Sequence, residues 1–455
     1  MKRVLTIVAG LLLLIIAGAW GYWTYRQYRS YQAPIPTGAT SLARIGVDGL
    51  LVDIAWNALW HRSYYQGKQT EKPFKFDRSS WLRTGMAIPA NIFVYQLGAS
   101  EQEHISDVYF GSLALTDSTI FSQWLTRQPN LNIQRDTLGT VITSEHLVAV
   151  YDADRVFFAL SPKKITSARP HIRNATQALM ASRDWTTVDE SPFHAIRKCD
   201  GDLVVLGAQQ ATIEFKNGQM LFSMAGTWKS RSAESRSAPQ VGIPQFSSSN
   251  TASLWVAGLP AFLAGKTFEL GPYTLAGDSL LKYNQGNVMI EWKGTVMQHD
   301  TVITYDYDDD FTMQERIELV EKPAPELYFS IATTDGLSDY LKAQGILTPQ
   351  GVSQDALPLY HVGVNQIDRG FLQLHTAQTP SALPKQGPAT DDVLYAHVNF
   401  EQIDSTMVSP LFIPYIQRLN QLEVTGRRSD GEHVTIRGTL FLRNPAIHSL
   451  VQLLN

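Results

Sequence analysis

The sequence predicts an α+β fold in which repeated strand–helix–hairpin units form antiparallel sheets with helices on one face, preceded by one transmembrane helix. Three observations lead to this prediction: a long apolar run near the N-terminus, a glycine-centred phrase that occurs three times, and a recurring strand phrase that precedes segments of helical period. A chain of 455 residues also has room for two to four domains.

The apolar run covers Val4–Trp23 and follows the cationic pair Lys2–Arg3. About twenty helical residues rise about 30 Å, which matches the hydrocarbon core of a bilayer. The tryptophans and tyrosines that close the run are typical of a membrane interface. We therefore predict an uncleaved anchor over residues 1–25 and a single-pass inner-membrane protein whose bulk is periplasmic. The alternative is a cleaved signal peptide, because Ala17–Ala19 has the small-x-small pattern of a cleavage site.

The glycine-centred phrase aligns on Gly226, Gly294 and Gly438. Apolar residues stand two and four positions before each glycine and two after it, so the glycine lies on the apolar face of a strand. A missing side chain there leaves room for close approach, and we predict that each glycine forms a notch for a docked helix. A hairpin turn is predicted before each glycine, at Asn217–Gly218, Gln285–Gly286 and Asp430–Gly431.

Further strands are predicted at 253–258, 326–332 and 393–399. Apolar residues at helical spacing predict a helix over Pro410–Leu422 and a closing helix from Asn444. Earlier in the chain, Asp117 or Ser118 is expected to cap a short helix, and a second helix is expected at 170–182. The predicted organisation is an anchor (1–25), a tether (26–40), a first α+β domain (41–228), a Ser-rich linker (229–250) and a second α+β domain (251–455) with the loop 376–391.

Four features of the chain together resemble a known group of proteins. They are the predicted anchor and three segments: "APIPTGATSLARIGVDGLL" at Ala33–Leu51, "DVLYAHVNFEQI" at Asp392–Ile403 and "RGTLFLRNPAIHSLVQLL" at Arg437–Leu454. With these features the chain resembles bacterial single-anchor cell-envelope proteins of unknown function. The resemblance implies a large extracytoplasmic α+β region after one anchor. It brings no catalytic motif.

An aromatic stripe recurs every four residues at Trp56, Trp60 and Tyr64, within a helix predicted over Leu50–Tyr65. We interpret the stripe as core packing against a sheet. The alternative is a stacking platform for a glycan or an apolar ligand, and exposure of the stripe would favour it.

The densest acidic cluster is Asp306–Asp310. A calcium loop beginning at Asp306 would need glycine in place of Phe311 and an acid in place of Ile317. We interpret the cluster as a solvated turn between two strands and keep a non-standard calcium site as the alternative. The histidines lack metal-ligand spacing and Cys199 has no motif around it, so no catalytic, cofactor-binding or metal residue is predicted, and no cofactor.

Gly277–Leu280 spells the tetrapeptide after which the GDSL esterases are named, and Asp430–His433 offers an Asp-x-x-His. A serine nucleophile needs an oriented base nearby. We place Ser279 near the start of the first strand of a hairpin, where no helix can form before the turn. The sequence therefore predicts that Ser279 is not a nucleophile, and an ester hydrolase remains an alternative.

A net charge of −4 and a pI near 6.3 give no support to nucleic-acid binding. The predicted function is that of a membrane-anchored extracytoplasmic protein with a structural or partner-binding role in the cell envelope, more plausibly not an enzyme. Its predicted partners are the lipid bilayer, through the N-terminal helix, and an unidentified envelope protein.

Overall fold

Antiparallel β-structure dominates the described part of the chain, in which strands form 45% and helices 26% of the residues. The chain divides into two compact units, of which the first is Met1–Asn217 with Ala446–Asn455 and the second is Gly218–Pro445. The computed structural model describes residues 2–66, 84–98, 107–128, 131–136, 139–165, 169–227, 242–307, 313–367, 370–430 and 433–454.

The helices of the described residues are short except for the first. They are α1 (Lys2–Tyr31), α2 (Val47–Trp60), α3 (Arg62–Gln66), α4 (Ser118–Leu125), α5 (Arg169–Ala181), α6 (Gly277–Tyr283), α7 (Asp335–Ala343), α8 (Ile413–Ile416) and α9 (Ser449–Leu454). The Asp117 carboxylate caps α4 by accepting hydrogen bonds from the backbone N–H groups of Thr119 and Ile120, which confirms the predicted cap.

The first unit is built on an antiparallel sheet with the strand order β11-β10-β2-β3-β4-β8-β7-β6-β5. A separate short pair joins β1 to β9. The strands are β1 (Pro34–Pro36), β2 (Ala39–Gly46), β3 (Asn91–Leu97), β4 (Tyr109–Ala114), β5 (Asn132–Asp136), β6 (Gly139–Thr143), β7 (Leu147–Tyr151), β8 (Arg155–Leu160), β9 (Trp185–Thr187), β10 (Leu203–Leu206) and β11 (Gln210–Lys216).

The core of the first unit lies between this sheet and helix α5. Ile172, Thr176 and Leu179 of α5 are buried at the i, i+4, i+7 spacing that places them on one helical face. They face a cluster that includes Tyr95 and Phe110, whose rings stack with centroids 6.5 Å apart. A smaller cluster forms where Phe121 of α4 packs edge-to-face against Tyr151.

The second unit contains an antiparallel sheet with the strand order β12-β24-β23-β22-β13-β16-β17-β21-β20. Two short pairs, β14–β15 and β18–β19, lie outside this sheet. The strands are β12 (Gln219–Thr227), β13 (Ala252–Val256), β14 (Thr267–Leu270), β15 (Tyr273–Ala276), β16 (Asn284–Tyr307), β17 (Met313–Thr333), β18 (Leu347–Thr348), β19 (Gly351–Val352), β20 (Gly363–Ile367), β21 (Phe371–His375), β22 (Asp392–Asn399), β23 (Leu419–Asp430) and β24 (His433–Leu442).

Helix α7 covers part of the second sheet. Its buried residues Leu337 and Leu341, one turn apart, pack in a cluster with Val288, Ile331 and Leu372 from the strands. Beyond this core, β16 and β17 continue together as a long hairpin that ends at Tyr307 and Met313.

No helix within the described residues is long and apolar enough to cross a membrane. The predicted transmembrane anchor over 1–25 is therefore wrong, as are the predicted single-pass inner-membrane location and the predicted partnership with a lipid bilayer. Helix α1 instead continues to Tyr31, and its last turns belong to the fold of the first unit. There Arg26 donates to Asp48, and the Asn91 side chain donates to Gln27.

The predicted α+β class is also wrong, because strands occupy sequence that was assigned to helices. The helix predicted over Pro410–Leu422 forms a single turn, α8, since β23 begins at Leu419 and pairs with β24. By contrast, the strand predicted at 326–332 is confirmed as the end of the 21-residue strand β17, and helix α7 follows it directly, at Asp335. The strands predicted at 253–258 and 393–399 are confirmed as β13 and β22.

The boundaries of the two compact units differ from the predicted domain boundaries. The predicted tether (26–40) contains the end of α1 and strand β1, and the last ten residues, Ala446–Asn455, belong to the first unit. The boundary after Asn217 falls before the Ser-rich stretch (229–250), whose residues 229–241 lie outside the described part of the chain.

The predicted helix-docking notches are not found at Gly294 and Gly438. No atom lies within 4 Å of the position that a Cβ of Gly294 would take, where the β16–β17 ladder shifts register. At Gly438 the space is filled by the ring of Phe222 from the neighbouring strand. The turn predicted at Gln285–Gly286 is replaced by a continuous strand after α6, whereas the hairpin around Asp430–Gly431 is confirmed by the β23–β24 pairing.

Candidate functional site

Helix α2 in the first unit buries polar residues and exposes apolar ones. Its buried residues are Asp48 and Asn57. Its exposed residues include Trp56, with 63% of its surface accessible, and Trp60, with 68%. A helix that packs through an apolar stripe shows the opposite arrangement. The side chains that hold α2 in place and those that face outward are therefore distinct sets.

The N-terminal end of α2 is held by an ion pair with α1. Arg26 donates from Nε and Nη2 to the two carboxylate oxygens of Asp48, at 2.9 and 2.8 Å. Arg26 also donates to the carbonyl of Ile88, and the Asp48 N–H donates to Ala90. The hydrogen bonds that Arg26 donates to Asp48 raise the pKa of Arg26, so the guanidinium keeps its charge despite partial burial.

The C-terminal end of α2 is held by Asn57, which makes four hydrogen bonds. Its Nδ2 donates to Oδ1 of Asn217 at 2.9 Å and to the carbonyl of Ala446 at 2.8 Å. Its Oδ1 accepts from the Tyr65 hydroxyl at 2.7 Å and from the His448 N–H at 3.1 Å. The buried amide is thus fully bonded, and it joins α2 to the segment that leads into α9.

The outward side of α2 forms a compact apolar surface. Val52, Trp56, Leu59 and Trp60 are all exposed, and their i, i+4, i+7, i+8 spacing places them on one side of the helix. We call these four residues the tryptophan face. The rings of Trp56 and Trp60 stand edge-to-face, with centroids 5.9 Å apart and an interplanar angle of 74°. Exposed apolar surface of this kind is typical of binding sites.

The interpretation of the aromatic stripe as core packing is wrong for the two tryptophans. The helix also ends at Trp60, so Tyr64 belongs to α3, where it packs edge-to-face against Tyr65. The structure therefore separates the stripe that the sequence predicts into an exposed tryptophan pair and a tyrosine pair that borders Asn57.

A titratable cluster lies beside α2 in the first unit. His448 is 1% exposed, and neither of its ring nitrogens has a hydrogen-bond partner in the described residues. Burial lowers the pKa of His448 and raises the pKa of Asp202, although Asp202 accepts a hydrogen bond from the Phe215 N–H at 2.7 Å. The Lys216 ammonium, whose pKa is raised by its hydrogen bond to Glu214, supplies the cationic charge of the cluster. Sequence reasoning missed this group because its members are scattered along the chain.

Ser279 and His433 are not brought together as a catalytic pair. Ser279 lies in helix α6, directly after the short strand β15, and His433 begins strand β24. No hydrogen bond joins their side chains in the described residues, and that Ser279 is not a nucleophile stays a prediction. The prediction that no helix forms there is wrong, because α6 starts at Gly277 and its Asp278 carboxylate accepts from the Gly265 N–H.

The other candidate positions carry no chemistry in the described part of the chain. Residues 308–310 of the acidic cluster Asp306–Asp310 lie outside it, so the calcium alternative stays open. Among the residues described, no group of three or more His, Cys, Asp or Glu side chains could hold a metal ion. Cys199 is a half-buried free thiol whose Sγ lies 3.5 Å from the carbonyl oxygen of Ala195.

Sequence reasoning also missed the two residues that fix α2. The strongly apolar segment "VDGLLVDIAWNALW" has three polar residues, Asp48, Asp53 and Asn57. The low polar content was the available signal, because such a helix has no broad polar face to turn to solvent. That signal does not separate the buried Asp48 and Asn57 from the exposed Asp53.

Comparisons with known proteins leave the chain without an assigned family. No family model matches it, and no curated protein matches it. Crystal form IV of TP0453 aligns at 10% identity over 46% of this chain and 83% of that chain, with a TM-score of 0.24. Crystal form III aligns at 9% identity over 75% and 92%, with a TM-score of 0.22. Likeness at this level supports no argument about fold or function, and the predicted envelope-protein partner gains nothing from it.

Proposed function

We propose that this protein is a binding protein that holds an apolar ligand on the tryptophan face of α2. The observation that carries the proposal is the inversion of α2: the buried polar residues Asp48 and Asn57 anchor the helix. The apolar residues Val52, Trp56, Leu59 and Trp60 face outward. Covering large apolar side chains that are otherwise in water is favourable by about 25 cal/mol per Å² of apolar surface.

The shape and chemistry of the face favour an apolar ligand over a sugar. A sugar ring stacks on a flat aromatic surface and needs polar groups around it for its hydroxyls. Here the two indole rings meet at 74°, and aliphatic side chains at Val52 and Leu59 accompany them. Val52 and Trp60 are eight helical positions apart, so the ligand would cover about 12 Å of the helix.

The anchoring of α2 supports the same proposal. A binding surface is more effective when it is already ordered, because ordering side chains on binding reduces affinity. Two polar attachments, at Asp48 and Asn57, hold the helix at both ends without using the tryptophan face. The face is therefore available in a fixed geometry.

The test is a titration of the full chain with 1-anilinonaphthalene-8-sulfonate, a fluorescent apolar probe. We expect the double variant Trp56→Ser/Trp60→Ser to lose more than half of the fluorescence enhancement while its thermal unfolding midpoint stays unchanged. Phe262→Ser is the matched control, because Phe262 is an isolated aromatic residue of the second unit that is 69% exposed. Equal enhancement in the double variant and the wild type would overturn the proposal. Displacement of the probe by cellohexaose or chitohexaose would replace it with a glycan site.

A further inference from the structure

The end of the β16–β17 hairpin extends beyond the rest of the sheet. Strand β13 pairs with β16 only over Val288–Trp292, and β21 pairs with β17 only over 328–332. From the pair His299–Glu321 to the pair Tyr307–Met313 no third strand is present among the described residues. We call this two-stranded segment the arm, and at about 3.4 Å per residue it is about 27 Å long.

The arm has one apolar face and one polar face. Ile303 lies opposite Ile317, and Thr301 lies opposite Leu319, so these side chains share one face. Ile317 is 71% and Leu319 73% exposed.

The opposite face of the arm is largely polar. It carries Thr304 opposite Arg316, and Arg316 Nε lies 3.2 Å from a carboxylate oxygen of Glu318. The exposed apolar side chains there are Val302, near the middle of the arm, and Val320, near its base.

An uncovered apolar ribbon is an unfavourable arrangement in water. A two-stranded ribbon alone is marginally stable, and a third strand or a packed helix is what usually stabilises it. The exposed residues Ile303, Tyr305, Ile317 and Leu319 also form a contiguous patch of a kind that marks interaction sites. The arm is thus a surface that gains stability when something covers it.

The charged side chains on the apolar face of the arm restrict which kind of surface can cover it. Within the described residues, the apolar face carries the acids Glu315 and Glu321 and no lysine or arginine. The Nδ1 atom of His299, which lies opposite Glu321, is 3.9 Å from a carboxylate oxygen of Glu321. These acids would repel the arm of a second copy and an anionic lipid surface, whereas they attract an apolar surface bordered by cations.

We propose that the arm is a docking site for a cationic amphipathic helix of a partner protein. The apolar stripe of that helix covers Ile303, Ile317 and Leu319, and its lysine or arginine side chains lie beside Glu315 and Glu321. A helix laid on the apolar face of a sheet is a standard way to bury both surfaces. This site lies in the second unit and does not depend on the tryptophan face.

The experiment uses the full chain and a fluorescent synthetic peptide of leucine and lysine, about 14 residues long, patterned as an amphipathic helix. Fluorescence anisotropy should show binding that weakens as salt is raised. We expect Ile317→Thr/Leu319→Thr to weaken binding at least tenfold, because threonine keeps the strand propensity and removes the apolar surface. Val302→Thr, on the opposite face, is the matched control and should bind as the wild type does.

Charge and competing occupants are tested separately. Glu315→Gln/Glu321→Gln should weaken binding several-fold and reduce its salt dependence, and peptides with glutamate for lysine or serine for leucine should not bind. Failure of the leucine–lysine peptide to bind would overturn the proposal, as would equal loss in Val302→Thr. Sedimentation that shows a dimer lost in Ile317→Thr/Leu319→Thr would replace the partner with a second copy. Binding to phosphatidylcholine vesicles that is lost in the same variant would replace it with a lipid surface.

Discussion

The ring of Phe222 occupies the space above Gly438. The two residues lie directly opposite each other in the β12–β24 ladder, and a Cβ on Gly438 would come within 2.1 Å of the Phe222 Cζ. A cross-strand aromatic ring that covers a glycine in this way stabilises the strand position that glycine otherwise weakens. The first unit repeats the arrangement, with the ring of Phe158 over Gly111.

This contact predicts that glycine substitutions have unequal costs. Gly438→Val should lower the free energy of unfolding by more than about 2 kcal/mol, because the added side chain must displace the Phe222 ring. Gly38→Val should cost less than about 1 kcal/mol, since Gly38 is exposed, no atom lies within 4 Å of the Cβ position there, and its backbone does not have the positive φ that favours glycine. Urea denaturation measures both values. In a Phe222→Ala background the cost of Gly438→Val should shrink, and additive costs would show that the ring contact is not responsible.

The buried amide of Asn57 predicts a large loss of stability on substitution. Asn57→Leu should cost about 3 kcal/mol or more, because it leaves the bonded groups of Asn217, Ala446, Tyr65 and His448 without their partner. Thermal and urea unfolding of the variant test this. The control is Ala55→Ser on the exposed side of the same helix, which should stay within about 0.5 kcal/mol of the wild type. A similar cost for both variants would contradict the role assigned to Asn57.

The ion pair between α1 and α2 should contribute more than an exposed pair does. Arg26→Met leaves the Asp48 carboxylate, which is nearly buried, without its bidentate partner, and a loss of about 2 to 3 kcal/mol is expected. Lys163→Met removes the ion pair with Asp107 on the open surface of the same unit and should leave the urea midpoint close to that of the wild type. Urea midpoints of the two variants compare them directly. Arg26→Lys should recover little, because lysine cannot reproduce the two parallel hydrogen bonds.

The buried His448 predicts a loss of stability in mild acid. Because burial lowers its pKa, the unfolded chain binds a proton that the folded chain does not. The stability it contributes is therefore complete above the ordinary histidine pKa of about 6.5 and is lost as the pH falls below that value. In His448→Leu the free energy of unfolding should fall less steeply with decreasing pH, by up to about 1.4 kcal/mol per pH unit. Unfolding free energies measured at several values between pH 7.5 and pH 5 provide the test.

Asp202 supplies an internal check on that prediction, because its pKa shift has the opposite sign. Burial raises the pKa of Asp202, so the folded chain binds the extra proton and gains stability as the pH falls toward the ordinary aspartate value of about 3.9. Asp202→Asn should therefore make the decline in acid steeper. A shallower decline in this variant would show that the two groups do not titrate as proposed.

Local patterns in the sequence predicted several elements correctly. The alternation and turn residues around Asp430 identified the β23–β24 hairpin, and the polar residue before an apolar run identified the cap at Asp117. Both depend on neighbours a few residues away. The periodicity over 170–182 likewise predicted helix α5, because its apolar stripe is buried in the expected way.

The same patterns failed where contacts with residues far away in the sequence determine which side chains are buried. Composition and a period of 3.6 predicted a helix over Leu50–Tyr65 with Trp56 and Trp60 on one side of it, and a helix that carries both tryptophans forms over Val47–Trp60. Which side of that helix is buried depends on contacts with the rest of the fold. Asn57 finds its partner at Ala446, 389 residues away, and this bonded amide turns the tryptophans outward. The open space at Gly294 and the uncovered arm were missed for the same reason. Burial depends on which surfaces the rest of the chain brings near a strand, and the periodicity of the strand itself carries no information about those surfaces.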